Sequence, residues 1–465
     1  MGAKRAVINT IMKDLTHGSI YGHLVAMAIP IAAGMLLQTL YYVVDLYFVA
    51  QLGDAALAGV SAAGTAMFII FALTQMLGVG TVALMSHAVG ANLRSDANHI
   101  FNQSVAMSAV CAAITLAGGF GLSAIYMRWV GADASTIAAG VTYLYWFTPG
   151  LALQFALVAM GSALRGTGIV RPTMVVQALT VALNIVLAPV LIAGWGTGLP
   201  LGVAGAALAS TLSIAVGVAL MSIYFLRLEH YVGFDRASFR PRVSTWLRIL
   251  NIGLPAGGEF ALMAVFIAVV YWIIRDFGAA AQAGFGIGSR VMQAIFLPAM
   301  AVAFAAAPIA GQNFGAKDPD RVRETFRAAA LASCAIMAAL TLLCQWQGQW
   351  LIRAFTNDPA VIDVGAEYLR VISWNFVATG LVFTCSSLFQ GLGNTWPSLI
   401  SSASRLLLFA GPAVWLSSRP DFRLVDIWHL SVATVALQAI ASLVLLQMQF
   451  RARLPSLRAA HAPEA

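Results

Sequence analysis

The 465 residues carry 26 Lys and Arg against 18 Asp and Glu, a formal net charge of +8, and only 9% of the chain is charged. An ordinary soluble domain is about 25% charged; with 60% apolar residues and a mean hydropathy of +0.85, a soluble globule, a disordered chain and a nucleic-acid binder are excluded. What remains is an all-α polytopic membrane protein.

The N-terminal stretch holds Lys4, Arg5, Lys13 and Asp14 and then runs into a long apolar span interrupted by Asp45. It lacks the short apolar core and small-residue cleavage site of a removable signal, so the first span is expected to be retained. Crossing a bilayer takes ~20 apolar residues. Twelve segments qualify, near 24–50, 56–88, 99–126, 136–164, 172–194, 199–226, 248–274, 280–312, 325–351, 361–390, 397–417 and 427–450. They are rich in Ala, Leu and Met and do not alternate, which argues against a β-barrel. The polar stretch 227–247, with Pro241, reads as a cytoplasmic linker between an N-terminal lobe (1–226, spans one to six) and a C-terminal lobe (248–465, spans seven to twelve). Cys111, Cys334, Cys344 and Cys385 all fall in apolar stretches and read as buried thiols, with neither disulfide nor metal spacing.

Twelve spans put both termini on one side. Eighteen Lys and Arg fall in the termini and even-numbered loops; five (Arg128, Arg275, Arg353, Arg419, Arg423) fall in the odd-numbered loops. That bias places both termini in the cytoplasm of a plasma (inner) membrane. The basic loops report topology and anionic lipid.

The chain repeats itself at an offset of 225 residues. Pro30 meets Pro255; Gly53, Ala55, Ala56, Ala58 and Gly59 meet Gly278, Ala280, Ala281, Ala283 and Gly284; Tyr143-Leu144 meets Tyr368-Leu369; Gly166, Gly168 and Pro172 meet Gly391, Gly393 and Pro397. Each copy holds six spans, an even number, so both enter the membrane in the same sense. Two six-helix bundles related by a pseudo-two-fold axis along the membrane normal are expected, with a central cleft able to open to either side by rocking.

Ionisable residues inside spans are costly and point to function. Asp45 is the clearest. Tyr41 and Gln38 stand at i−4 and i−7 from it, so the three share one helical stripe. In the fifth span Asn184 has Thr180 and Gln177 at the same offsets. Two such stripes facing each other would enclose a small hydrated pocket. No Lys or Arg lies within the N-terminal spans, so a charged Asp45 would lack a counter-ion and take up either H⁺ or Na⁺. Asn184 alone fits a helix-stitching hydrogen bond equally well.

The second copy carries Glu259 four residues after Pro255, Arg290 in span eight and Arg405 in span eleven. The first copy has Gly34, Thr65 and Thr180 at those places. If Glu259 is paired with either Arg it is a poor ion carrier and serves substrate binding or gating; unpaired, it becomes a second candidate carrier. Glu367 and Arg370, an i,i+3 pair, are expected to satisfy each other. Tyr41, Trp146, Met292 and Trp374 offer an adaptable apolar wall for a substrate, against the simpler reading that they pack helices or face lipid. Gly198 and Gly202 suit close helix packing. GFGIGSR (284–290) follows no strand, and no P-loop, HExxH, zinc spacing or GxSxG occurs, so neither an enzyme nor a cofactor beyond the coupling ion is expected.

Taken together, Pro30, Gln38, Asp45 and Gly53, with GVGTVALMSHAVGA (78–91), LRGTGIVRPTM (164–174), ALNIVLAPVLI (182–192), GVAGAALAS (202–210), IGLPAGGE (252–259), AFAAAPIAGQNFGAKDPDRVRE (303–324) and FQGLGNTWPS (389–398), resemble the multidrug and toxic compound extrusion family of the flippase-related exporters. The resemblance implies a two-lobed antiporter that exports organic compounds against inward H⁺ or Na⁺ and works as a monomer. It implies Asp45 as the coupling carboxylate with Asn184 beside it, and Ser210 where many members have Thr. It also departs from the family: members with a second acid in this pocket carry Asp four residues after the Asn, where this chain has Ala188. An acid-lined cleft favours cationic substrates, while Arg290 and Arg405 leave anions open. The alternative reading is a lipid or lipid-linked precursor flippase with a cationic groove. An intramembrane enzyme or receptor would need a catalytic pair or a sensing domain, and neither is visible.

Overall fold

The computed structural model describes residues 13–459; Lys4 and Arg5 of the charge count lie outside them. Every regular element among the described residues is helical. In chain order these are α1 (Ile20–Ala50), α2 (Asp54–Gly90), α3 (Arg94–Val130), α4 (Ala134–Gly166), α5 (Arg171–Ile192), α6 (Gly202–Arg227), α7 (Val243–Ile274), α8 (Ala279–Gly315), α9 (Pro319–Arg353), α10 (Pro359–Ile372), α11 (Phe376–Gly391), α12 (Trp396–Ser417) and α13 (Leu424–Ala459). Helices satisfy their own backbone groups, which is what hydrocarbon demands. Twelve spans are long and apolar enough to cross a membrane, with α10 and α11 forming one of them. That tenth span is not continuous: a 3-10 turn, Ser373–Asn375, interrupts it. The Thr341 hydroxyl and the Gln345 amide of α9 donate to the Ser373 carbonyl and hydroxyl there, at 2.9 and 2.8 Å.

The repeat is visible in the helix bounds. Shifted by 225, α2 falls on α8, α5 on α12, and α4 on α10 through α11. The punctuation matches as well. Gly53 and Gly278 open α2 and α8 with φ of 101° and 85°, a region closed to side chains, and Asn92 and Lys317 follow those helices with φ of 57° and 59°. Asp133 and Asp358 cap α4 and α10, accepting from Thr136 N and Ala360 N at 2.7 and 2.9 Å.

The chain forms two compact units. One is built around Ala33–Gly253, the other from Leu15–Ala32 together with the residues from Leu254 onward. This division differs from lobes ending at 226 and beginning at 248. The lead-in and first turns of α1 group with the second unit, and the first turns of α7 with the first. α1 and α7 thus change unit within three residues of Pro30 and Pro255, where proline removes one i to i−4 hydrogen bond. The reason lies in polar contacts. Gln312 and Asn313 at the end of α8, with Arg321 of α9, grip Leu15 and Gly18.

In the first unit, α3 grips the 227–247 stretch in a comparable way. Asn102 bonds Gly233 O and Asp235 N, both at 2.9 Å, and Gln103 bonds Ser238 O, Arg240 O and Arg242 N. The linker is therefore fastened to its unit along its length. Within it, burial pushes the Glu229 carboxyl above its ordinary pKa, while bonds from Ser238 and the Ala237 amide hold Asp235 below its own.

Each unit has its own apolar core, and the two are in register. Val49, Val60, Met127, Tyr143, Leu144, Phe147 and Leu151 of the first correspond to Ile274, Phe285, Ile352, Tyr368, Leu369, Ile372 and Phe376 of the second. Gly198 and Gly202 do not pack helices: they lie around the α5–α6 turn with positive φ and open space beside them. Close approach occurs elsewhere, as at Gly59, where a Cβ would stand 2.7 Å from Thr136 O and 2.8 Å from Gly140 N of α4. Those are backbone atoms and cannot step aside. Gly59→Ala is expected to cost ~1–3 kcal/mol through overpacking. Gly64→Ala, on the same helix with nothing within 4 Å, should be neutral or gain up to ~1 kcal/mol of helix propensity. Thermal unfolding of the detergent-solubilised variants distinguishes the two.

Candidate functional site

α1 of the first unit presents Asp45 to protein: the residue is 7% exposed, while its neighbours Leu46 and Tyr47 are exposed. The Tyr143 hydroxyl of α4 donates to Asp45 Oδ2 at 3.4 Å. Oδ1 is buried without a hydrogen bond, and no Lys or Arg acts on the carboxyl. The Tyr41 hydroxyl, one turn earlier, lies close enough to Asp45 and Ser210 to feel both, yet also lacks a hydrogen bond. Ser210 of α6 accepts from Asn184 Nδ2 of α5 at 3.3 Å, and Asn184 Oδ1 is left buried and unpaired. Four helices thus bring Asp45, Tyr41, Tyr143, Asn184 and Ser210 into one polar cluster set in the apolar core of its unit. Ala188, one turn beyond Asn184, belongs to that core and adds no second acid.

Two residues expected here are not brought to Asp45. Gln38 lies against the Tyr42 hydroxyl. Thr180 donates to Gln177 O of its own helix at 2.8 Å and packs its methyl where α6 has Gly217. Tyr143 is the member that reasoning from the first helix missed. Its one signal was that it recurs, as Tyr368, in the repeat.

The cluster is short of donors. Two acceptor oxygens, Asp45 Oδ1 and Asn184 Oδ1, are buried with nothing to receive, and each such atom costs ~1–3 kcal/mol. A proton on the carboxyl or a small cation beside both oxygens would relieve that cost.

In the second unit Glu259 on α7 stands away from both arginines. Its Oε2 accepts from Ser386 at 3.5 Å, Ser398 adds a second hydroxyl nearby, bonded to Ser386 at 2.9 Å, and Oε1 is buried and unpaired. Neither serine was singled out from the sequence. Glu259 forms no ion pair among the described residues, so it remains a candidate ion carrier. Arg290 is exposed. Arg405 stacks over the Phe266 ring at 4.4 Å. Met292 accepts from the Tyr368 hydroxyl at 3.5 Å, while Trp374, in the 3-10 turn, is 67% exposed. Glu367 and Arg370 are both exposed and form no ion pair among the described residues; Gln345 takes the Arg370 carbonyl instead.

A duplicated all-helical membrane protein with buried, uncompensated carboxyls has the makings of a transporter. The comparisons with known proteins make that specific. Residues 30–190 and 255–415, well over half of the chain and one stretch in each repeat, match the family model described as MatE. The chain belongs to that family, the multidrug and toxic compound extrusion transporters, and is an efflux transporter, not an enzyme. It is similar to the "Probable multidrug resistance protein YpnP" of Bacillus subtilis, 28% identical over 82% of this chain and 86% of that one. It is also similar to the "FAD transporter" of Shewanella oneidensis, 24% identical over 86% and 88%. Among solved structures, a MATE in complex with MaL6 superposes with a TM-score of 0.89 over 95% of this chain and 98% of that one, at 24% identity. The "MOP superfamily transporter from Pyrococcus furiosus" whose title reports a "reverse polarity of binding pocket" gives 0.87 over 94% and 97%, also at 24%. These superpositions show the shared fold.

If the unpaired Asn184 oxygen is kept for a ligand rather than for stability, Asn184→Leu should unfold at an unchanged or higher temperature, by up to ~1 kcal/mol. A fall of several degrees would assign Asn184 to holding α5 against α6.

Proposed function

We propose that this chain is a secondary antiporter that exports small organic compounds from the cytoplasm in exchange for H⁺ or Na⁺. Asp45 is the coupling carboxyl, with Tyr41, Tyr143, Asn184 and Ser210 around it. The observation that carries the reading is the buried Asp45 Oδ1, unpaired and with no cation acting on its carboxyl. A carboxylate in that state is costly until a proton or a metal ion occupies it. Occupancy therefore changes the relative stability of the conformations between which a transporter alternates. A proton needs one free oxygen. Na⁺ wants several, and Asp45 Oδ1, Asn184 Oδ1 and Tyr41 Oη are the ones free to serve.

Glu259 is the second carrier of the cycle, or else it serves substrate binding and gating, as Met292, Arg290 and Trp374 do. The bias of Lys and Arg supports a plasma-membrane protein with both termini in the cytoplasm. Relatives named as multidrug resistance and export proteins support export over lipid flipping.

The test is transport in proteoliposomes with a pH gradient and a Na⁺ gradient imposed separately. One of the two gradients should drive uptake of an organic dye into inverted vesicles, and Asp45→Asn should reduce driven uptake at least tenfold while the protein remains folded in the membrane. Unchanged driven uptake in Asp45→Asn would remove that carboxyl from the mechanism.

A further inference from the structure

The repeat sets two sites in the same register, and their chemistry is opposite. Shifted by 225, Asp45 becomes Val270, Tyr41 becomes Phe266, Asn184 becomes Phe409 and Ser210 becomes Val435, while Tyr143 becomes Tyr368 and Thr180 becomes Arg405. The acceptors of the first unit are gone, and a guanidinium has arrived one turn from the Asn184 position, where the first repeat has Thr180.

Arg405 sits with its Cζ 4.4 Å from the centre of the Phe266 ring, and that ring packs on Phe409 at 4.7 Å. Its Nε–H is buried without a partner, and no carboxylate acts on it. Tyr368, which feels Arg405 electrostatically, gives its hydroxyl to the weak acceptor Met292 Sδ. Against the Tyr368 ring, at 4.8 Å, stands Trp428, 1% exposed, whose indole N–H is also buried and unpaired. Near the same hydroxyl, within reach of it, is the buried Ser289 Oγ.

Two N–H groups without partners, on Arg405 and Trp428, and the Ser289 hydroxyl lie around Tyr368, whose own hydroxyl has the poor acceptor Met292 Sδ. A charged donor left buried without a partner costs more than a neutral one, and stacking on a single aromatic ring offsets only part of that cost. Where the Asp45 cluster leaves carboxyl and amide oxygens unanswered, this one leaves N–H donors unanswered.

We propose that Arg405, Tyr368, Ser289 and Trp428 form a binding site for a carboxylate group on an organic compound. The single positive charge selects the ligand. A carboxylate brings one negative charge and two oxygens in the plane of the guanidinium fork, whereas a phosphate monoester would leave a net charge in an apolar surround. Phe266 and the half-buried Met292 supply apolar contact for the rest of the molecule. The assignment rests on the export reading for its purpose, since it makes organic acids or zwitterions the exported class. Binding itself requires no gradient.

The test is equilibrium binding of radiolabelled benzoate to the full-length protein in nanodiscs, with no ion gradient, beside benzylamine and benzyl phosphate as probes of the same ring with other charges. Saturable benzoate binding is expected, weakened at least tenfold in Arg405→Gln, with benzylamine unaffected by that change. Arg405→Lys, which keeps the charge and loses the fork, should fall between. If Arg405→Gln does not fold, the wild type decides: benzoate should raise its unfolding temperature more than benzylamine does. Equal benzoate binding by wild type and folded Arg405→Gln, or wild type that takes benzylamine or benzyl phosphate in preference to benzoate, overturns the assignment. Arg405-dependent benzoate binding in a protein that fails the gradient experiment would leave this site standing and sink the antiport reading; the reverse result would do the opposite.

Discussion

The structure is organised around the cost of an unanswered polar atom in an apolar bundle. Away from their ends and prolines the helices settle their backbone internally, so most of the atoms left over belong to side chains, and they are few. Asp45 Oδ1, Asn184 Oδ1 and Glu259 Oε1 are oxygens with nothing to accept from; Arg405 Nε and Trp428 Nε1 are donors with nothing to give to. A protein selected for stability alone would replace each with a hydrocarbon group, and the repeat shows how easily. Opposite Asp45 stands Val270, opposite Asn184 stands Phe409, and both lie in the buried core of their unit. The exchange works in either direction without disturbing the helices. Retaining the polar version in one copy therefore calls for a reason outside packing, and a ligand or ion that completes the bonding supplies one.

Duplication explains how such contrast arises. Much of the two cores matches in register, from Val49 and Ile274 to Leu151 and Phe376, so the scaffold tolerated duplication with little change there. Tyr143 and Tyr368 kept their identity while their surroundings diverged. The first hydroxyl donates to a carboxylate and the second to a thioether. The same tyrosine on the same helix position thus serves an acidic site in one unit and a basic one in the other. What differs is the set of residues contributed by the first, second, fifth and sixth helices of each repeat.

Much of this was legible in the amino-acid sequence. Low charge and apolar run length gave the twelve spans, and the 225-residue offset predicted helix bounds that the fold repeats. The stripe at i and i−4 located Asp45 and Tyr41 on one face because helical periodicity is local. A polar stripe on the fifth span singled out Asn184, while Ser210 followed from resemblance. What failed required knowledge of neighbouring helices. Gln38 shares the Asp45 stripe by spacing but turns to Tyr42, and Thr180 bonds its own helix. Glu259 could be paired or unpaired with an arginine until the position of Ser386 and Ser398 was known. The 3-10 break at Ser373–Asn375 has no proline or glycine to announce it; hydroxyl and amide groups from α9 hold it open. The clamps on Leu15 and on the 227–247 stretch join residues more than a hundred positions apart, beyond any local pattern.

The two acids also differ in where they stand along their helices. Asp45 lies 15 residues past Pro30, Glu259 only 4 past Pro255, so in the common register they are 11 residues apart, or roughly 16 Å of helix at 1.5 Å per residue. Gly34 occupies the Glu259 level in the first repeat, with the Gln177 amide oxygen 3.1 Å from where its Cβ would be. An acid there would meet an acceptor, not the pair of hydroxyls that Ser386 and Ser398 offer. At the Asp45 level of the second repeat, an acid at Val270 would stand one turn from Phe266, the ring on which Arg405 stacks, in the apolar core of that unit. Each acid therefore sits at the level where its own unit has no cation for it and some hydroxyl to hold one oxygen. That arrangement leaves the other oxygen open to an ion, and it follows from the local partners available in each copy without any need for the copies to have kept the same site.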